Sequence, residues 1–227
     1  MERAYVKEFE SILQRLQYTV DRSKLLSDVF ALLACSISQT VDHRSFDLRQ
    51  SEKDQILKTY RPAETKTLQE LFSYLFRLCS RMSQPDGIFD DYLGVVFMNS
   101  NTQSKGAGQF FTPYDVSRMA AHLTTSGVEP DDHGVITIDE PACGSGGMLL
   151  ATLDVLRKRG VNYAEEVFCH GADIDRRCVR MAYVQLSLAG APAIIHCRDT
   201  LAMNTWETWF TPAYVFQWIK FRRYEGC

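Results

Sequence analysis

The sequence predicts an α/β protein, a helical N-terminal region followed by a short set of parallel strands joined by helices. Three observations predict it. Residues 1 to 82 carry apolar side chains at helical spacing. From residue 135 onward, short apolar runs alternate with amphipathic helical stretches, the pattern of parallel strands with helical crossovers. Between the first such run and the first such helix stands Glu140-Pro141-Ala142-Cys143-Gly144-Ser145-Gly146-Gly147, an acidic turn and a glycine loop.

The elements follow in order. Val6, Phe9, Ile12, Leu13 and Leu16 share one helical face, and Leu25, Leu26, Val29, Phe30, Leu33 and Ile37 repeat the pattern. Ser51-Glu52-Lys53-Asp54 and Thr67-Leu68-Gln69-Glu70 read as helix starts, the second with capping-box spacing. Leu68, Leu71, Phe72, Leu75 and Phe76 then form a stripe. All these stripes read as core rather than as cofactor contacts. Ser83-Gln84-Pro85-Asp86-Gly87 is a break. Residues 99–108 are polar and include Gly106 and Gly108, so they read as a mobile loop. Pro113 suits the first turn of a helix capped by Thr112, with Val116, Met119, Ala120 and Leu123 as its buried face. After a linker at 124–134, the expected order is strand 135–138, helix 147–159, strand 167–172, helix 176–189 and strand 193–197.

The loop carries the chemistry. Glycines let a backbone approach a ligand closely, because no Cβ stands in the way. A dinucleotide fingerprint reads Gly-x-Gly-x-x-Gly, whereas the glycines here are Gly144, Gly146 and Gly147. A carboxylate ahead of the loop would repel a pyrophosphate. It would attract the α-ammonium group of S-adenosylmethionine. An ordinary tight strand-to-helix turn would need no ligand at all, and the neighbouring segments argue against that plainer reading.

The loop resembles the cofactor loop of the amino-methyltransferases that modify adenine in DNA, in particular the modification subunits of type I restriction systems. Gly108-Gln109-Phe110-Phe111-Thr112-Pro113 resembles that family's motif upstream of the sheet. Asp91-Tyr92-Leu93-Gly94-Val95-Val96-Phe97 resembles the helix before it. Gly171-Ala172-Asp173-Ile174-Asp175 and Ile195-His196-Cys197-Arg198-Asp199-Thr200-Leu201 resemble its second and third acidic strand ends. The likeness covers residues 87–201.

It implies a Rossmann-like S-adenosylmethionine-dependent methyltransferase sheet, incomplete, preceded by the helical region. The domains would be a helical region at 1–106, a cofactor-binding core at 107–201 and a tail at 202–227. The implied cofactor contacts are Phe111, Thr112, Pro113, Glu140, Pro141, Ala142, Gly144, Gly146, Asp173, Ile174 and Asp199. Glu140 would hold the methionine ammonium, Asp173 the ribose hydroxyls and Asp199 the adenine amino group, while Thr112 and Pro113 close over the methionine end. Asp139 could replace Glu140, and Asp175 could replace Asp173; the family register favours Glu140 and Asp173. An aspartate at a strand end also serves as a helix N-cap, but three acids at successive strand ends suit a ligand crevice.

One family feature is missing. Adenine amino-methyltransferases carry an Asn/Asp-Pro-Pro-Tyr/Phe segment after a fourth strand, whose carbonyls accept from the target amino group and whose ring stacks on the flipped base. The nearest stretch here is Thr211-Pro212-Ala213-Tyr214, with a hydroxyl where an amide is expected and one proline fewer. Thr211, Pro212 and Tyr214 therefore stand as weak catalytic candidates beside the reading of a simple turn, and the catalytic residues are otherwise unassigned. Residues 204–209 make a poor buried strand. The large apolar side chains that follow predict that 202–227 covers the sheet edge or forms an association surface.

Composition narrows the classes. With 227 residues and 45% apolar content, the chain is long enough for one sizeable core, or one domain with a helical appendage. No run of about 18 apolar residues suggests a membrane span, and the N-terminus lacks a signal peptide's basic start and apolar stretch. The seven cysteines form no Cys-x-x-Cys pair, so no metal is expected; they read as small buried apolar residues of a cytoplasmic protein. A net charge of −3 is not that of a bulk electrostatic DNA binder. Contact with DNA would come from a local patch or a partner subunit, and Lys220-Phe221-Arg222-Arg223 reads as a solvated end.

The leading reading is a DNA methyltransferase acting on the adenine amino group, or a short member of that family, of restriction-modification type. Its expected partners are DNA, directly or through another subunit, and a specificity subunit, a methylase subunit or a second copy. The rival is a non-catalytic cofactor-binding or interaction protein that pairs with a methylase or restriction subunit. A nicotinamide oxidoreductase comes third, weakened by the glycine spacing.

Overall fold

A computed structural model describes residues 4–15, 20–101 and 110–224. Leu16, Gly106, Gly108, Gln109, Cys227 and most of the loop expected at 99–108 lie outside the described residues. Among the described residues no helix is long and apolar enough to cross a membrane.

The N-terminal region is helical: α1 (Ala4–Leu13), α2 (Arg22–Ser38), α3 (Phe46–Leu57), α4 (Pro62–Cys79) and α5 (Tyr92–Asn101). The α2 stripe is buried throughout, and Asp21 caps that helix by accepting from the Lys24 N–H. Two expected starts shift. α3 begins at Phe46, so Ser51 lies within it, and α4 begins at Pro62, so Thr67 lies within it. The residues that open α4 are Pro62, which has no N–H to leave unpaired, and Glu64, whose carboxylate accepts from the Arg61 N–H at 2.8 Å. Phe76, expected in the α4 stripe, is exposed, while Leu68, Leu71 and Leu75 are buried.

α6 (Tyr114–Thr124) leads to the sheet: β1 (Ile136–Glu140), α7 (Gly147–Lys158), α8 (Tyr163–Glu166), β2 (Val167–Asp173), α9 (Arg176–Ala189), β3 (Ala193–Asp199) and β4 (Asn204–Phe210). The spatial order is β1-β2-β3-β4. The first three strands are parallel, with Glu140 beside Gly171 and Asp173 beside Cys197. Residues 204–210, expected as a poor buried strand, pair antiparallel with β3 along its outer edge. An edge strand tolerates that composition because much of it faces solvent.

One sheet face packs on α7 and α9. A Cβ added at Gly171 would come within 2.9 Å of Ile195 and 3.2 Å of Leu149, so only glycine lets β2 lie this close under α7. Trp209 of β4 is buried between Tyr183, at 5.1 Å between ring centroids, and Arg49 of α3, whose guanidinium lies 3.4 Å from the indole centroid. The helical region and the sheet thus share one continuous core. Arg180 of α9 and Glu52 of α3 add an ion pair across the same junction.

The opposite face is covered at its amino-terminal half by α10 (Pro212–Phe216) and α11 (Trp218–Phe221). Tyr214, Phe221 and Tyr224 close around Phe168, with Val135 and Ile194 beneath them. This tail therefore covers a face, while β4 covers the edge. Of its large apolar residues, Trp209 and Tyr214 are buried, and Trp206, Phe216, Trp218 and Ile219 are exposed. Among the described residues, six cysteines are free thiols and all six are buried.

Candidate active site

Glu140, Asp173 and Asp199 close the carboxyl ends of three adjacent parallel strands. In an open parallel sheet that end is where ligands bind. Two clefts lie there, sharing Ala142 in their walls. The first, of about 220 Å³, is bordered by Phe111, Thr112, Glu140, Gly144, Ser145 and Ser117, among others. The second, of about 240 Å³, is bordered by Pro141, Asp173, Ile174, Arg198, Asp199 and Leu201, among others.

The loop is shaped by its glycines. Gly144 has φ +54° and Gly146, the cap of α7, has φ +91°; both lie in the left-handed region that side chains disfavour. A Cβ on Gly144 would sit 3.2 Å from the Phe111 ring, so that ring closes directly over the loop. The Asp173 carboxylate accepts from the Gly144 N–H and the Asp175 N–H, each at 2.9 Å, and so ties loop to strand. Glu140 accepts from the Ala142 N–H at 3.3 Å. Asp199 accepts from the N–H groups of Leu201 and Ala202, both at 3.0 Å, and orders the β3–β4 turn. The Thr200 hydroxyl then donates to the Pro141 carbonyl at 2.7 Å, joining that turn to the loop.

The geometry separates the paired acids. Successive side chains of a strand point to opposite faces. Asp139 therefore faces away from the first cleft and bonds His170 at 2.9 Å; His170 in turn meets His196 at 2.9 Å. Burial, with His170 and Arg198 nearby, pulls the His196 imidazole down to about 4. Asp175 caps α9 by accepting from the Arg177 N–H, and pairs with the Arg177 guanidinium at 2.7 Å. Glu140 and Asp173 are the members that border the clefts. Cys143 also borders the first cleft; burial, with Asp173 beside it, holds its thiol well above the usual range.

Residues 83–218 match the N-6 DNA methylase family. The chain belongs to that family.

Among curated relatives, the chain is 29% identical over 125 residues to the type I restriction enzyme MpnII methylase subunit of Mycoplasma pneumoniae, covering 54% of this chain and 22% of the relative. It is 28% identical over 154 residues to the MjaIX methylase subunit of Methanocaldococcus jannaschii, covering 65% and 26%. The chain thus spans about a quarter of the length of these relatives. A solved type I restriction-modification methyltransferase subunit from Streptococcus thermophilus superposes with a TM-score of 0.48 at 16% identity, over 88% of this chain and 59% of that one.

Three expectations within this N-6 methylase core change. α6 starts at Tyr114 with Pro113, not Thr112, at the cap position. Its buried face is Tyr114, Ser117 and Ala121, while Val116, Met119 and Leu123 are exposed. The apolar stripe was legible, but α6 meets α7 through its small and polar side. Thr211, Pro212 and Tyr214 lie far from the strand ends that carry the acids. The Thr211 hydroxyl accepts from the Ala193 N–H at 2.8 Å, where β3 begins, and caps α10; Pro212 opens α10, and Tyr214 is buried against Phe168. They act as a turn and a core contact.

Sequence reasoning missed the support beneath the loop. Asp91, at the start of α5, is buried and accepts from Ser145 Oγ at 2.5 Å, Gln185 Nε2 at 2.8 Å and the Gly94 N–H at 3.0 Å. Gln185 of α9 also donates to the Ser145 carbonyl at 2.8 Å and accepts from the Leu93 N–H at 3.1 Å. One buried cluster thus fixes α5, α9 and the glycine loop together. The spacing from Asp91 to Gly94 was a readable N-cap signal. Nothing local marked Gln185. Among the described residues no group of three or more His, Cys, Asp or Glu side chains could hold a metal ion.

Proposed function

We propose that this chain forms the S-adenosylmethionine-binding half of a DNA methyltransferase of restriction-modification type that acts on the adenine amino group. The observation that carries the reading is the pair of adjoining clefts at the carboxyl ends of β1, β2 and β3, each with its own carboxylates. The fit is favourable. The clefts together fall within the ~300–1,000 Å³ common for small-molecule sites. The positive-φ glycines leave the loop surface free of side chains. Glu140 suits an ammonium, and Asp173 and Asp199 suit hydroxyl and amino donors.

When bound, the cofactor supplies a methyl group already activated on a sulfonium. The chain's own task is to hold and orient it. Glu140 and the Gly144–Gly147 backbone hold the amino-acid end under Phe111. Asp173, Ile174 and Asp199 hold the nucleoside end. Placing the target base falls to residues other than Thr211, Pro212 and Tyr214, which lie at the far end of the sheet. That placement favours one second reading, a cofactor-binding subunit that completes its site with a partner chain.

Transfer of a labelled methyl group to mixed-sequence DNA tests the proposal, run with the chain alone and with candidate methylase or specificity subunits. Label on adenine N6 in either arm supports it, and turnover only with a partner selects the second reading. Calorimetry showing no S-adenosylmethionine binding at high micromolar cofactor, or binding of a nicotinamide dinucleotide instead, refutes it.

A further inference from the structure

Ser117 sits on the buried face of α6, 1% exposed, and its hydroxyl meets no hydrogen-bond partner among the described residues. A buried polar atom without a partner is a standing cost to the fold and calls for an explanation. Tyr114, one turn earlier on the same face, also has an unpartnered hydroxyl, but it does not border a cleft. Ser117 does border the first cleft, together with Thr112, Glu140, Gly144 and Ser145.

The surroundings select a ligand chemistry. α6 is an 11-residue helix whose N-terminus follows Thr112 and Pro113, and Ser117 lies in its first turns. The N–H groups of a helix's first turn lack intrahelical acceptors, and its dipole favours negative charge there. Glu140, elsewhere on the wall of the same cleft, instead favours a cation, whereas the Asp91 carboxylate is taken up by Ser145, Gln185 and the Gly94 N–H. A zwitterionic amino-acid group satisfies both. Its ammonium goes to Glu140, and its carboxylate goes to the helix end.

We propose that Ser117 Oγ donates a hydrogen bond to the carboxylate of the methyl donor's amino-acid end. This deepens the S-adenosylmethionine reading above and rests on it. Ser117 thereby makes the site selective for a donor that keeps its carboxylate. The unpartnered hydroxyl is a cost of the free protein that binding removes.

Calorimetry on wild type and Ser117→Ala with S-adenosylmethionine and with its decarboxylated analogue tests the proposal, together with thermal melts of both proteins without ligand. Ser117→Ala should bind S-adenosylmethionine about 10- to 100-fold more weakly, as expected for a lost hydrogen bond to a charged group. Its affinity for the decarboxylated analogue should match wild type, and its ligand-free melting temperature should not fall. Equal affinities of the two proteins for S-adenosylmethionine overturn the proposal. So does an equal loss for both ligands, or a lower ligand-free melting temperature, since either makes the hydroxyl structural. A wild-type protein that binds neither ligand overturns the donor reading itself, a result distinct from the others.

Discussion

Replacing Asp91 with alanine should destabilise the fold by about 3–5 kcal/mol, the upper range for single substitutions that break a buried hydrogen-bond network. The carboxylate is 3% exposed and receives three donors: Ser145 Oγ, Gln185 Nε2 and the Gly94 N–H. Hydrogen bonds to charged groups contribute about 1.5–3 kcal/mol each, but neighbours in one network do not add. The loss falls on the junction of α5, α9 and the glycine loop, so cofactor affinity should fall with stability. For a chain of this size the melting temperature should drop by roughly 10 °C. Asparagine keeps one acceptor oxygen and lets Ser145 Oγ become the acceptor, so it should cost only about 1 kcal/mol. Urea unfolding followed by circular dichroism at pH 7 measures both. An alanine variant within about 0.5 kcal/mol of wild type, the range of typical surface changes, refutes the network's role.

The same site makes a prediction about pH. Burial raises the Asp91 carboxyl above its usual range, against the opposing pull of its three donors. The folded state therefore keeps this proton to higher pH than the unfolded chain. The stability that proton provides is full below the unfolded value of about 3.9 and is lost as pH rises through the raised folded pKa. Asparagine cannot ionise and loses nothing. The advantage of wild type over Asp91→Asn should shrink as pH climbs from that unfolded value, and a widening gap in the urea series refutes the assignment.

Glu140→Gln should weaken S-adenosylmethionine binding by about tenfold, while Asp139→Asn, on the other sheet face beside His170, should leave it unchanged; calorimetry that reverses the order would reassign the ammonium site. Asp173→Ala should cost about 1–3 kcal/mol of cofactor binding. Asp175→Ala should instead cost about 1 kcal/mol of stability through the α9 cap, and a larger binding loss at Asp175 would shift the ribose assignment by two residues. Gly144→Ala should cost about 1–2 kcal/mol of stability from its left-handed backbone. It should also weaken cofactor binding by displacing Phe111, 3.2 Å from the added Cβ, whereas unchanged affinity would show that Phe111 does not close the cleft.

Much of the site was legible because its signals are local. A carboxylate, a glycine loop and a helix in sequence imply a strand end and a close backbone approach wherever the chain folds. The helix at Arg176–Ala189 carries its own boundaries, a capping Asp175 and a terminal Gly190 with φ +78°. α6 shows the limit of such reading. Its apolar stripe was visible, yet Val116, Met119 and Leu123 face outward, since periodicity reports which face is apolar and not which neighbour arrives. The start of α4 was misplaced because Glu64 reaches back to the Arg61 backbone, and Arg61 is an unusual residue to open a helix.

Residue spacing alone established the α/β class, the order of the first three strands with the two helices between them, and the acids at three strand ends, because these depend on backbone demands met within a few positions. Only the tertiary structure decided which acid of each pair borders a cleft, that β4 pairs antiparallel at the edge, and that Thr211, Pro212 and Tyr214 belong to the opposite end of the sheet. It alone joined Asp91, Ser145 and Gln185, which are 94 positions apart from first to last. Side-chain direction alternates with strand register, and a buried carboxylate takes its donors from whatever elements close around it. Neither is fixed until distant segments pack.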